Sequence, residues 1–373
     1  MKIMFLSAAN NIHTVRWVNA LSKKGHNVHL VFQQNHKPSD NKISDKVTLH
    51  CLKYSGNKGY FLNAFQLNRL YKEINPDIVN AHYASGYGTL ARIAKLKPLV
   101  LSVWGSDVYD FPYQSKLKMG IVKRNLLYAD QIASTSICMA KQVKKLLGSN
   151  DIDIAITPFG VDTEKFSRKT KRKKTGKICI GNVKTLAPKY GITDLVKAIK
   201  ILKETLEKKG LSEISNNIVV KIYGDGIQKA EIANLIRQLQ LSDTVELKGK
   251  IPNTKVPLAL EDMDIFCLTS VCESFGVAAV EAMSMEIPVV ATNVDGFKEV
   301  IEDGISGIIV ERKNPASVAQ ALERLVLDEE LRERMGKNGR KRVEELYDWN
   351  KNVAAMLQVY NRCLNKIHKQ SRS

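Results

Sequence analysis

Residues 2–32, KIMFLSAANNIHTVRWVNALSKKGHNVHLVF, decide the fold. KIMFLS is a short apolar run with the length of a buried strand. TVRWVNALSKKGH spaces its apolar residues at three and four, as an amphipathic helix does, and Gly25 stands at its end. NVHLVF is a second β-rich run. Strand, helix, strand in so few residues is a parallel crossover unit. The cadence continues through VTLHCL, DIVNAHY, PLVLSVW, QIASTS and IAITPF, with helical patterns between them. Continuous Val/Ile-rich runs, rather than alternating ones, predict a parallel sheet covered by helices on both faces. After SRKTKRKKTGK (167–177), a tether without apolar residues, the pattern restarts: KICIGNV, IVVKIYG, TVELKGK, DIFCLTS, PVVATNV, SGIIV. The expected fold is therefore α/β: two doubly wound, Rossmann-like domains that face each other across a cleft at their strand C-termini. The expected boundaries are 1–168 and 169–349, with a C-terminal helix at about 350–366 packing back on the first domain.

Composition agrees with two soluble domains. The chain has 373 residues, 44% hydrophobic and 25% charged, without a run of eighteen apolar residues. Its start reads as a first strand, not a signal peptide. Six cysteines without a C-x-x-C pair predict reduced thiols and a cytoplasmic location. The net charge of +19 is lopsided: residues 1–176 carry 28 Lys/Arg against 11 Asp/Glu, the remainder 29 against 27. The first half is expected to meet something anionic, and docking on the inner face of the cytoplasmic membrane is one expectation. YQSKLKMGIVKRNLLY (113–128) sets Lys116, Lys118, Lys123 and Arg124 among Leu117, Met119, Ile121, Val122, Leu126 and Leu127. It reads either as an interfacial helix or as a helix packed on the sheet with a basic edge. No stacking motif or recognition helix accompanies the charge, so a nucleic-acid partner is not expected.

CESFGVAAVEAM (272–283) carries the chemistry. It joins the strand DIFCLTS to a helix that stops before Pro288, so loop amides and a helix N-terminus point to one spot that favours an anion. Glu273 stands in the loop; Glu281 lies a turn after Val277 on the same helix face. In GNVKTLAPKYGI, Lys184 and Lys189 occupy another strand-end loop, as point charges suited to phosphate. Gly224 in YGDG allows backbone close to a ligand. Phosphate donors beside hydroxyl-binding carboxylates describe a nucleotide-sugar pocket.

These residues resemble those of glycosyltransferase family 4, retaining enzymes of the two-domain GT-B architecture. ESFGVAAVE is similar to the family's Glu-x7-Glu element, PFGVDTEKF (158–166) to the close of its acceptor domain, and VKTLAPKYGI to its diphosphate-binding loop, with Lys184 where arginine is usual. The resemblance implies that Glu281 holds the ribose and that Lys184 and Lys189 neutralise the diphosphate. The amides around Ser274, Phe275, Gly276 and Val277 would add donors, Glu273 would contact the sugar, and Ile251 in GKIP would lie near the base. The donor would be UDP- or GDP-linked, and the acceptor a glycan or lipid-linked glycan of a bacterial surface polysaccharide. No cofactor and no metal are implied, because the lysines and helix dipole take a metal's place.

The first half departs from the family's pattern. The loop SAANNIHTV has no glycine pair, and Trp104 in VWGSDVY stands where a histidine is usual. His13, His82 and Trp104 are acceptor-side candidates. Asp107 is read either as the group that orients the acceptor or takes its proton, or as a strand-end hydrogen-bonder. A nucleotide-sugar 2-epimerase and a non-catalytic nucleotide-sugar binder are the alternatives.

Overall fold

The computed structural model describes residues 1–39, 42–169 and 176–370. The chain forms two compact units, Met1–Phe159 with the chain from Asn350 onward, and Gly160–Trp349. In the first, β1 (Lys2–Leu6), β2 (Asn27–Gln33), β3 (Val47–Leu52), β4 (Ile78–His82), β5 (Leu99–Val103), β6 (Gln131–Ser134) and β7 (Ile154–Ile156) form one sheet in the order β3-β2-β1-β4-β5-β6-β7. Every pairing is parallel; Phe5 of β1, for instance, stands opposite Leu30 of β2 and Asn80 of β4. In the second unit, β8 (Ile178–Val183), β9 (Ile218–Tyr223), β10 (Val245–Gly249), β11 (Ile265–Leu268), β12 (Val289–Thr292) and β13 (Gly307–Val310) are parallel in the order β10-β9-β8-β11-β12-β13. The apolar runs of both halves are thus the strands.

Helices cover both sheets because the central strands have no wet face, whereas the edge strands β3 and β10 expose residues to solvent. Ile3, Met4, Phe5 and Leu6 are all fully buried, although successive side chains point to opposite sides. The helix Trp349–Gln370 supplies Val353, Met356, Val359 and Cys363 to the first unit's core. Its buried Tyr360 hydroxyl donates to Asn80 Oδ1 (2.9 Å) on β4.

The boundary falls after Phe159, earlier than the sequence reading placed it. Residues 160–168 belong to the second unit because their backbone is tied there. Val161 N–H donates to Tyr347 O, and Trp349 N–H to Val161 O, both at 2.8 Å. Phe166 O accepts from Ser284 Oγ and Arg340 Nη1, each at 2.7 Å. The charged tether hid this link; its residues 170–175 lie outside the described ones.

Among the described residues no helix is long and apolar enough to cross a membrane. The helix Lys116–Tyr128 does not present a single apolar face outward. Val122 and Leu126 are buried in the first unit's core, while Leu117 (74% exposed) and Leu127 (69%) face solvent. The helix thus packs on the first unit through Val122 and Leu126 and leaves Leu117 and Leu127 outward.

In both sheets the strand order reverses direction once, between β1 and β4 and between β8 and β11. Loops on either side of such a switch part there and leave a crevice at the C-terminal strand ends.

Candidate functional site

In the second unit the loops after β8 and β11 are stitched together at the switch point. Val271 N–H donates to Lys189 O (2.9 Å), and Thr269 Oγ1 donates to Gly191 O (2.7 Å). Lys184 N–H donates to Tyr223 O (2.9 Å), which ties the first of these loops to the end of β9. On this frame Lys184 Nζ reaches Glu273 Oε2 at 2.6 Å, with each side chain only 16% exposed. Lys184 Nζ also lies 4.6 Å from the centre of the Tyr190 ring, and Lys189 Nζ 4.9 Å from it. Two ammonium groups and one carboxylate therefore gather around one aromatic ring.

The loop Ser274–Gly276 sits just beyond. Phe275 is 2% exposed and packs edge-on against Tyr347 (5.5 Å between centroids). Gly296 N–H donates to Glu273 O (3.1 Å), fixing the loop from beneath. Gly276 takes φ 101° before the helix Val277–Ser284, and a Cβ there would lie 2.8 Å from the Phe297 ring; both facts require glycine. Glu281 is half-buried on that helix. Gly224 lies beneath Lys184, and its N–H donates to Gly249 O (2.9 Å). Ile251 follows the end of β10. The donor-side residues expected from the sequence thus all lie on the second unit, on the loops after β8, β9, β10 and β11 or on the helix that follows β11.

Sequence reasoning gave Glu273 and Lys184 separate tasks and missed their ion pair. It also missed Tyr190, the ring between the lysines. Two further polar groups sit at the same strand ends without a hydrogen-bond partner: Asn182 Oδ1 and Ser270 Oγ, both in fully buried side chains. An asparagine inside the apolar run ICIGNV was the one available signal for the first.

The first unit buries three of its four candidates. Asp107 is 1% exposed, and its carboxylate accepts from Ala84 N (2.7 Å), Trp104 N (3.1 Å) and Gly105 N (2.9 Å). Burial pushes its pKa up and the amide donors pull it down. Asp107 is a clamp between the ends of β4 and β5, not a group open to an acceptor. His82 is fully buried, bonded through Nε2 to Asn80 Oδ1 (3.1 Å) and packed against Phe5 and Trp104 (centroids 4.4 and 4.2 Å). Trp104 is 7% exposed, enclosed by His82, Tyr83, His13 and Phe159. His13 starts the helix Ile12–Lys23 with its ring stacked on Phe159 (4.1 Å). These residues sit near the strand ends, as the sequence implied, and their rings pack on one another, while His82 Nδ1 is buried without a hydrogen-bond partner. A cavity of about 860 Å³ opens beside them, lined instead by the loops after β1 and β4 and the helices Gly56–Leu62 and Lys116–Tyr128.

With both sites described, sequence comparison decides the family. The profile for glycosyl transferases group 1 matches residues 163–342, and that for glycosyl transferase 4-like proteins matches residues 2–136. The chain belongs to the group 1 glycosyltransferases. Its relatives include the capsular polysaccharide biosynthesis glycosyltransferase CapM of Staphylococcus aureus, 26% identical over 88% of each chain. Another is N-acetyl-alpha-D-glucosaminyl L-malate synthase of Bacillus anthracis, 25% identical over 91% of this chain and 90% of the relative. Among solved structures, Anabaena HepE in complex with UDP and glucose superposes with a TM-score of 0.74, at 17% identity over 97% of this chain and 100% of that one. The fold is GT-B, and the enzyme class is glycosyl transfer.

The glycosyltransferase also carries a pH liability in its first unit. His13, His26, His29, His36, His50 and His82 all have pKa values lowered, chiefly by burial, His13 to about 3 with Arg16 adding to it. The unfolded chain takes up protons below its ordinary histidine pKa of 6.5, while the folded unit takes them up only at lower pH, His13 and His82 the most reluctantly. Stability from these groups is therefore full above about pH 6.5 and lost as pH falls. The urea midpoint should drop steadily from about pH 7 to about pH 5, before ordinary carboxylates titrate. A flat profile across that window would contradict the burial of these rings.

Proposed function

We propose that the protein transfers a sugar, with retention of anomeric configuration, from a UDP- or GDP-sugar to a glycan or lipid-linked glycan of a bacterial surface polysaccharide. The observation that carries this reading is the convergence of Lys184, Lys189, Glu273 and the start of the helix Val277–Ser284 at the second sheet's switch point. UDP is the favoured carrier because HepE binds it on the same fold. CapM supports a polysaccharide product.

Breaking the sugar–phosphate bond puts negative charge on the diphosphate and positive charge on the sugar ring. The lysines and the amides of Phe275, Gly276 and Val277 meet the first, already oriented before reaction. Glu273 meets the second; its pairing with Lys184 holds both heads where they are needed and keeps the lysine from folding away. Glu281 accepts from the ribose hydroxyls, Gly224 gives the backbone close approach, and Ile251 borders the base. The charge of a metal is supplied here by lysine. Attack occurs on the face the leaving group quits, within an ion-pair-like state.

A thermal-shift series with UDP, GDP and ADP tests the carrier, since a tight ligand raises apparent stability by mass action. Glu281→Ala should weaken the stabilising nucleotide by about 1.5–3 kcal/mol, the value of hydrogen bonds to a charged group. Calorimetry that finds unchanged affinity removes the ribose role; a series in which no nucleotide raises the midpoint removes the whole reading.

A further inference from the structure

We propose that Tyr190 is a positioning residue of the donor site: its ring holds the ammonium groups of Lys184 and Lys189 at one place, without cancelling their charge, ready for the diphosphate of an incoming nucleotide. That the ligand is a nucleoside diphosphate rests on the donor-site reading above; the ring's hold on the two lysines does not.

The ring itself is fixed. Tyr190 closes the short 3-10 turn Pro188–Tyr190 that follows β8. The backbone on either side of it is bound to the residues after β11. Val271 N–H donates to Lys189 O (2.9 Å), and Thr269 Oγ1 lies 2.7 Å from Gly191 O and 3.3 Å from Tyr190 O. Gly191 takes φ 60°, and a Cβ there would lie 2.2 Å from the Thr269 carbonyl oxygen, so the turn rests directly on the strand end. The half-buried tyrosine packs against the second unit's core. Lysine side chains are the opposite case. Each is long and loses much rotamer freedom when its head is held in one place.

An aromatic ring suits this task better than a carboxylate. Lys184 Nζ lies 4.6 Å from the ring centre and Lys189 Nζ 4.9 Å, both within the range where the negative face of a ring attracts a cation. With Glu273 2.6 Å from Lys184, the cluster holds two positive groups and one negative, a sum of +1. A second carboxylate in place of the ring would hold the lysines too, but it would bring that sum to zero and repel the phosphates. The ring attracts both ammonium groups and carries no net charge. Lysine has three N–H donors, so Lys184 keeps two for phosphate oxygens after bonding Glu273. Heads ordered before the ligand arrives need not be ordered on binding, and affinity gains accordingly. Packing alone explains the ring's burial but not the two ammonium groups gathered on it.

The test needs no acceptor. The full chain is titrated calorimetrically at low salt with UDP and GDP, each beside its monophosphate and its nucleoside. Tyr190→Leu keeps an apolar anchor on the core. It should weaken the diphosphate that binds by roughly tenfold, the monophosphate less, and leave the nucleoside unchanged. Tyr190→Phe should restore most of the loss, because the ring face and not the hydroxyl holds the cations. Phenylalanines with successively more ring fluorines, placed at position 190, change shape little while draining the ring's negative face. Diphosphate affinity should fall stepwise along that series. A side chain that only packs would give a level series, and a ring that competes with phosphate for the lysines would give tighter binding once lost. Either result overturns the proposal, as does a Tyr190→Phe variant as weak as Tyr190→Leu.

A ligand-free measurement separates this proposal from the donor reading. After reductive methylation with isotope-labelled methyl groups, the Lys184 and Lys189 resonances are assigned by their loss in Lys184→Arg and Lys189→Arg. They should lie upfield, in the shielding region of the ring, and return to the ordinary lysine position in Tyr190→Leu. If they do and neither nucleotide binds the wild-type chain, the donor reading fails while the ring's hold on the lysines stands. If a nucleotide binds and the resonances are ordinary, this proposal fails and the donor reading stands.

Discussion

Alanine in place of Lys189 is expected to lower kcat by about 10²–10³ while weakening nucleotide-sugar binding far less. The asymmetry comes from where the charge develops. On the proposed reading the diphosphate is met in the ground state by Lys184 and the loop amides, and Lys189 adds one exposed point charge. As the sugar leaves, the terminal phosphate gains negative charge, and only an interaction that strengthens at that moment raises turnover. The competing explanation is structural. Lys189 Nζ lies 4.9 Å from the Tyr190 ring, and losing that contact costs about 0.5–1 kcal/mol at an exposed site. That is too little to account for a hundredfold effect, which needs about 2.7 kcal/mol. The loop itself should survive, because its link to Val271 uses the backbone oxygen of Lys189. Steady-state kinetics with the carrier found by thermal shift decides the matter. If KM rises and kcat holds, Lys189 serves ground-state binding alone and the leaving-group role is wrong.

The sequence made the second unit's chemistry far more legible than the first's, and the reason is physical. A strand–loop–helix anion site is built largely from backbone, so its signature is local: a short apolar run, a small-residue loop and a helix start lie in consecutive residues. Lys184, Lys189, Glu273 and Glu281 could be named from such local patterns. Their mutual geometry could not, because Lys184 and Glu273 meet only through the pairing of β8 with β11. The first unit's cavity draws on the loops after β1 and β4 and on two helices, each contributing three or four residues from a different part of the chain. No segment contains enough of it to stand out. Position at a strand end was taken there as exposure to a ligand, whereas His82 and Trp104 spend their faces on Phe5, Tyr83 and one another. Asp107 was read two ways, and its strand-end bonding is the one whose partners are visible: a carboxylate beside a glycine turn, Trp104–Gly105, has three amides in reach. The central strands were legible because burial on both faces leaves an unmistakable run of apolar residues, while the unit boundary was not, since many of the bonds that draw residues 160–168 to the second unit use their backbone groups.

Gly224→Ala should be the most damaging small substitution at the donor site. Gly224 has φ 152°, a conformation side chains rarely adopt, and a Cβ built on it would lie 1.9 Å from the Lys184 carbonyl oxygen. That neighbour is backbone and cannot rotate aside. Either β9 or the loop after β8 must shift, and the 2.9 Å bond from Lys184 N–H to Tyr223 O is the first to go. Backbone strain of about 1–3 kcal/mol and overpacking of about 1–3 kcal/mol then act at one point, so a loss of about 2–4 kcal/mol in stability is expected. Gly210→Ala is the control. Gly210 also has a positive φ, 74°, but a Cβ there would meet nothing within 4 Å, so only the conformational cost of about 1 kcal/mol applies. The two variants separate strain from collision. Function should separate them too: Lys184 moves with its carbonyl, which breaks the register of its 2.6 Å pair with Glu273, so Gly224→Ala should lose nucleotide affinity that Gly210→Ala keeps. Urea unfolding with and without nucleotide measures both effects. Equal midpoints for the two variants would show that the end of β9 yields to a methyl group, and the close approach that positions Lys184 would lose its support.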